Sequence, residues 1–318
     1  MIEENINFLK PMTVSEILDN TFRTYRDNFV AIMVFSAIIG GFFALLLSFV
    51  TQQSMVPGMP LVQWDELLQN PNMIPDMEAN MNYEEFLPQL FMFQGIIFLL
   101  SMVSAIFINP LIQGGIINIT YHDVIGKKLD YKEALTSTLK KYWQLVLTGL
   151  SLIPYYIAMV IVIIIVTIIM VIPLVLLGIG MSGDPTGGKI ALFVLMLLLF
   201  IAGIIILSIL SNIFIVFTYH VAMIEKSYNF GAIGRSFKLV AKKFWRVIGI
   251  NFLILLIVGI IGGILTFISG ITSIVSPNSF ISTYAITFLM SAFIAPISLI
   301  ATTLLFTDVK ARVESIEI

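Results

Sequence analysis

The chain has 318 residues, of which 58% are hydrophobic and only 11% charged, with a mean hydropathy of +1.01. An ordinary soluble domain carries about 25% charged residues, so a water-soluble globule is excluded and most of the apolar surface must face lipid. Seventeen basic against 19 acidic residues argue against a strongly basic nucleic-acid binder, and the lack of cysteine excludes disulfides, thiolate metal sites and cysteine nucleophiles.

The first 28 residues are polar and contain acids, unlike a cleavable signal, so the first apolar run is expected to remain as a helix. Within them, Thr13 and Glu16 form a capping-box pattern. Val14, Ile17, Leu18, Phe22 and Tyr25 follow as one apolar stripe, with Arg23 and Arg26 facing away. A span needs about 20 apolar residues, and six runs free of Asp, Glu, Lys and Arg qualify: 29–50, 90–119, 146–178, 190–222, 247–270 and 280–306. The third and fourth, at 33 residues each, are long enough to require tilt or kinks, with Pro154 and Pro173 as break points in the third.

Between the first two runs lies an acidic outer loop, 51–88, with no Lys or Arg. Its Met73, Met77 and Met81 share a face if the loop is helical. They suit packing on Trp64, Leu67 and Phe86 better than soft copper. After the second run, Asp130 and Glu133 repeat the cap spacing ahead of Ala134, Leu135, Leu139 and Tyr142, with Lys132, Lys140 and Lys141 alongside. After the fourth, Ile233, Phe237, Val240 and Phe244 form a third stripe among Arg235, Lys238, Lys242, Lys243 and Arg246. Basic side chains beside an apolar stripe suit helices lying in the inner leaflet surface. Arg23, Arg26, Lys140, Lys141, Lys238, Lys242, Lys243 and Arg246 are therefore expected to contact anionic lipid.

Aligning Leu18, Leu135 and Ile233 also aligns Phe22, Leu139 and Phe237, and Arg23, Lys140 and Lys238. The chain thus reads as three parallel repeats of amphipathic helix plus transmembrane hairpin, about 12–122, 129–225 and 228–312, in one polytopic domain. With the amino terminus inside, sixteen of the 17 basic residues lie inside and Lys189 alone lies outside. Seven acids fall outside and twelve inside, giving net charges of −6 and +4. The expected fold class is therefore an all-α integral membrane protein with six transmembrane helices, three cytoplasmic in-plane helices and both termini cytoplasmic.

Four stretches carry a family resemblance. They are Met12-Thr13-Val14-Ser15-Glu16-Ile17-Leu18-Asp19 with Phe22, Tyr25 and Asn28-Phe29; Asn109-Pro110-Leu111 with Gly114-Gly115, Gly126 and Glu133-Ala134-Leu135; Glu225, Gly231-Ala232-Ile233, Arg235-Ser236-Phe237-Lys238-Leu239 and Phe244-Trp245-Arg246-Val247; and Pro296, Leu304-Leu305-Phe306 and Asp308-Val309-Lys310-Ala311-Arg312. Together they resemble the glycerophosphoryl diester phosphodiesterase membrane-domain family. Some of its members join this module to a soluble barrel that cleaves glycerophosphodiesters. Only about a dozen residues follow the last run, against the roughly 250 of a barrel, so the resemblance implies the membrane fold and not the hydrolase.

Catalysis needs convergent ionisable groups, and the six runs contain none, so no enzyme, metal or cofactor is expected. His122 and His220 fall at inner ends of runs, where an interfacial ring is favoured over a metal pair because neither has a second ligand at helical spacing. His220, Glu225 and Arg235 form a candidate inner-surface polar site. Asn109, Gln113, Asn212 and Asn251 serve either helix-to-helix hydrogen bonding or a polar path. The glycine pairs 40–41, 114–115 and 262–263, with Gly259 and Gly263 in GxxxG spacing, suit close helix packing. The leading expectation is a non-catalytic scaffold or accessory protein with a membrane-protein partner or second copy. The alternative is a carrier, exporter component or antimicrobial-peptide immunity protein that moves or sequesters an amphiphile.

Overall fold

The computed structural model describes residues 10–53, 83–180, 187–275 and 280–314. Among them every regular element is a helix. Six helices are long and apolar enough to cross a membrane: span 1 (Phe29–Thr51), span 2 (Phe91–Val124), span 3 (Tyr142–Pro173), span 4 (Ile190–Glu225), span 5 (Phe244–Ile268) and span 6 (Tyr284–Glu314). Runs of Ile and Val, poor helix formers in water, hold this shape because a segment surrounded by hydrocarbon must satisfy its backbone groups internally. Most of the acidic loop, with its methionines and Trp64, lies outside the described residues.

Three short helices join the spans at one end: α1 (Val14–Asp27), α2 (Tyr131–Lys140) and α3 (Phe230–Lys242). Thr13 caps α1, its hydroxyl accepting from Glu16 N at 3.2 Å while the Glu16 carboxylate accepts from Thr13 N at 2.5 Å. Those bonds hold the Glu16 carboxyl below its ordinary range. At α2 the expected counterpart does not form. Asp130 occupies the cap position through its backbone alone, with Ala134 N donating to its carbonyl.

Buried side chains concentrate at this basic end, where Ile17, Phe35, Ile117, Leu145, Phe217, Leu239, Val247 and Phe306 interlock. Farther out, spans 3 and 4 present Ile161, Ile165, Leu198 and Leu199 at half exposure or more, as a lipid-facing hairpin requires. Span 1 packs on spans 2 and 6, span 2 also touches span 3, and span 5 pairs with span 6. Glycines set the closest approaches. A Cβ on Gly114 would stand 2.5 Å from Leu145 Cδ1, and one on Gly115 would enter the Phe35 ring. Gly259 and Gly263 depart from the packing expectation, since a Cβ on either meets no atom of the described residues within 4 Å.

Pro154 and Pro173 do not break span 3; the helix Tyr142–Gly180 runs through both. The irregularities lie elsewhere. Segments Val34–Gly41, Ser104–Ile108, Val221–Glu225 and Met290–Ile294 are π-helical. Two of them directly precede Asn109-Pro110 and Ala295-Pro296, where a wider turn makes room for the proline ring against the carbonyl four residues back. Span 4 is interrupted outright between Ile215 and Thr218. Ser236 of α3 closes that break: its hydroxyl donates to Phe214 O at 2.8 Å and accepts from Phe217 N at 3.2 Å.

Candidate functional site: a cavity among the spans and two ionic centres

Spans 1, 2 and 6 line a cavity of about 480 Å³ that also meets the basic end of span 4. Ser36 and Gly40 come from one π-helical segment, Ser104 and Ile108 from a second, and Ser291 from a third, while Asn109 and Pro296 follow the last two. Irregular backbone in a membrane is tolerated where it is covered by protein or lines a cavity, and π turns recur at functional sites. Asn109 and Gln113 sit four residues apart, so one face of span 2 turns both amides to this space. Among the described residues neither amide hydrogen-bonds to protein. Apolar wall is supplied by Phe43, Leu47, Ile112 and Leu299.

The other two amides lie elsewhere. Asn212 donates to Ser208 O at 2.8 Å and Asn251 to Val247 O at 2.8 Å, each satisfied within its own helix. His220 departs from the interfacial expectation. It is 1% exposed, its Nε2 lies 3.1 Å from Thr303 Oγ, and its ring stacks on Phe306 at 5.6 Å between centroids. The residue follows the break in span 4 directly and contributes to the cavity wall. His220 Nδ1, Thr120 Oγ and Thr218 Oγ are buried without a hydrogen-bond partner.

Glu225 and Arg235 do meet, without His220. Arg235 Nε donates to Glu225 at 2.9 Å, Lys310 Nζ stands 3.0 Å from the same carboxylate, and Arg235 also reaches Glu314. Hydrogen bonding to Glu225 raises the Arg235 guanidinium above its already high range, against the effect of burial. His220 instead belongs to the aromatic stack with Phe217 and Phe306.

A second ionic centre was hidden in the sequence. Asp308, with no exposed side-chain surface, accepts from Arg246 Nε at 2.6 Å, Arg312 Nε at 2.9 Å and Met12 N at 2.7 Å. Both arginines also donate to Met12 O, at 2.5 and 2.9 Å. One residue ahead of α1 is thus gripped through both its backbone polar groups by spans 5 and 6. The signal was an acid and an arginine four apart, Asp308 and Arg312, directly after an apolar run. Asp123 plays a similar part at the end of span 2, accepting from Thr24 Oγ at 2.6 Å and Asn28 Nδ2 at 3.1 Å.

Of the residues expected to touch lipid, Arg23, Arg26, Lys140, Lys238 and Lys242 are exposed. Arg246 is not free for headgroups, because Asp308 draws it inward. Lys141 likewise turns to Met223 O at 2.8 Å, and burial, with Lys226 nearby, lowers its ammonium below the ordinary lysine range. Lys243 is half-buried. Among the described residues no three His, Asp or Glu side chains gather to hold a metal.

No protein-family model, curated protein or solved structure matches the chain.

Proposed function

We propose that the chain is a non-catalytic polytopic membrane protein that takes an amphiphile from the bilayer into the cavity among spans 1, 2 and 6 and sequesters or carries it. The cavity carries this reading: about 480 Å³, within the size range of small-molecule sites, with two unpartnered amides set against an apolar wall. The reading includes both termini on the cytoplasmic side, α1, α2 and α3 lying in the inner leaflet surface, and kinship with the phosphodiesterase membrane module.

The three-repeat organisation belongs to the same proposal, and register supports it. At the alignment used above, Ile17, Ala134 and Ala232 correspond and are each fully buried; four residues on, Thr21, Thr138 and Ser236 correspond and are each buried. Thr120-Tyr121-His122 and Thr218-Tyr219-His220 close the first two units with the same three residues.

The test is lipid retention. Protein purified in mild detergent is expected to carry bound lipid in roughly equal amount to protein, detected by mass spectrometry of the extract. Ala44→Phe with Ser104→Phe, which fill the cavity, are expected to remove it; equal lipid in wild type and filled variant would sink the reading.

A second reading, a scaffold or accessory partner of another membrane protein, is favoured by Gly259 and Gly263. They leave a small-residue face on span 5 of the kind on which transmembrane helices associate, uncovered by any of the described residues. Cross-linking that captures a partner or second copy along span 5, with no lipid retained, would favour it.

A further inference from the structure

We propose that the amphiphile held in this cavity is a lipid alcohol, a neutral molecule whose head donates hydrogen bonds through hydroxyl groups. This rests on the amphiphile-binding reading and specifies its ligand.

Charge comes first. The cavity wall contains no Asp, Glu, Lys or Arg. A phosphate or carboxylate head there would be desolvated with no counter-charge, which a low-dielectric site does not tolerate. Four partly buried cations of the basic end are committed: Arg246 and Arg312 to Asp308, Arg235 and Lys310 to Glu225. Anionic heads are drawn instead to exposed Arg23, Lys140 and Lys238 on the short helices.

Hydrogen-bond polarity then narrows the head. Ser36 gives its proton to Ile32 O at 3.0 Å, Ser291 to Phe288 O at 3.2 Å, Ser298 to Ala295 O at 2.8 Å and Thr302 to Ser298 O at 2.7 Å. A hydroxyl has one proton and two lone pairs, so each of these four now offers the cavity an acceptor only. The Asn109 and Gln113 amides add two more acceptor oxygens and, with the Ser104 hydroxyl, supply the wall's unspent donors. A wall that offers acceptors beside amide and hydroxyl donors is best matched by a head that both donates and accepts, which a hydroxyl head does and an ester or ketone head does not.

The position suits a lipid. Ser36 stands about 10 Å and Leu47 about 27 Å along span 1 from Phe29, so the cavity occupies its middle stretch. A head seated by Ser36, Asn109 and Gln113 leaves its chain to run past Phe43 and Leu47.

The test uses two lipid alcohols, dioleoylglycerol and a long-chain isoprenoid alcohol, each with a photoreactive group in the chain, and the phosphate monoester of each. The full chain is reconstituted in phosphatidylcholine vesicles and labelled peptides are mapped. The alcohols are expected to label spans 1, 2 and 6 at least tenfold more than their phosphates, and the stronger of the two identifies the source. Asn109→Leu with Gln113→Leu is expected to lower that yield about tenfold. Competition on the wild-type chain by unlabelled dioctanoylglycerol, but not by its phosphate, gives the same answer without a variant. Phosphate forms labelling the cavity as strongly as the alcohols would overturn the neutral-head assignment and leave the amphiphile reading standing. Absence of cavity labelling by all four probes would overturn the lipid-alcohol assignment, and lipid retention in the filled variant decides the broader reading separately.

Discussion

Asp308 shows how much can rest on one side chain in a lipid-embedded protein. It has no exposed surface, and its neighbours are two guanidinium groups and a backbone amide. Asp308→Asn would leave Arg246 and Arg312 around a neutral amide, and breaking a buried pair from one side costs about 3 to 5 kcal/mol. Because both arginines are about a quarter to a third exposed, solvent screens part of the loss, and about 2 to 3 kcal/mol is expected. Thermal unfolding of the purified variant measures it, and the double change with Arg246→Met is expected to cost less than the two single changes summed. Gly115 makes the opposite kind of demand. Its missing Cβ is the space occupied by the Phe35 ring, so Gly115→Ala is expected to cost about 1 to 3 kcal/mol by overpacking. Phe35→Leu should recover part of the loss in the double variant; no recovery would show that the two residues do not share this space.

At the scale of elements, the molecule combines long uninterrupted helices with a few deliberate faults. Hydropathy made the six spans legible, because crossing a bilayer imposes a length and a composition that one chain segment satisfies alone. The faults were not legible in the same way. Pro154 and Pro173 look like breakers and sit inside a continuous helix, whereas span 4 breaks at Val216-Phe217, which no local residue marks. That break depends on Ser236, nineteen residues from Phe217 and on a different helix. Ser236→Ala removes both of its hydrogen bonds and leaves Phe217 N buried without an acceptor, a cost of about 1 to 3 kcal/mol. Hydrogen exchange should locate the loss at residues 214–220. At α1 the same method reads the capping box. Because the Glu16 carboxyl is held below its unfolded value, its contribution is present above the ordinary glutamate range and lost as pH falls through the lowered folded value. Protection of the first-turn amides should decline over that window and be insensitive to it in Glu16→Gln.

For the molecule as a whole, the distinction between what sequence reveals and what it hides follows from dimension. Topology is a property of order along the chain, so charge counting addresses it directly. A cavity is a property of which faces meet, and only two of the four amides singled out by sequence, Asn109 and Gln113, come together on its wall. Both ends of the chain's described core, Met12 and Asp308, are bonded to each other, so α1 and the end of span 6 share one end of the bundle. The connections carrying α2 and α3 lie there too, since Thr24 reaches Asp123 and Lys141 reaches Met223. The cations at this end predict that it is cytoplasmic. The absence of cysteine makes the test clean, because every introduced thiol is the only one present. A membrane-impermeant maleimide applied to intact cells is expected to label Gly188→Cys and to leave Arg23→Cys, Lys140→Cys and Lys238→Cys unlabelled until the membrane is permeabilised. Labelling of the last three in intact cells would invert the topology. It would also place the basic short helices away from the anionic inner leaflet and remove the electrostatic reason for their composition.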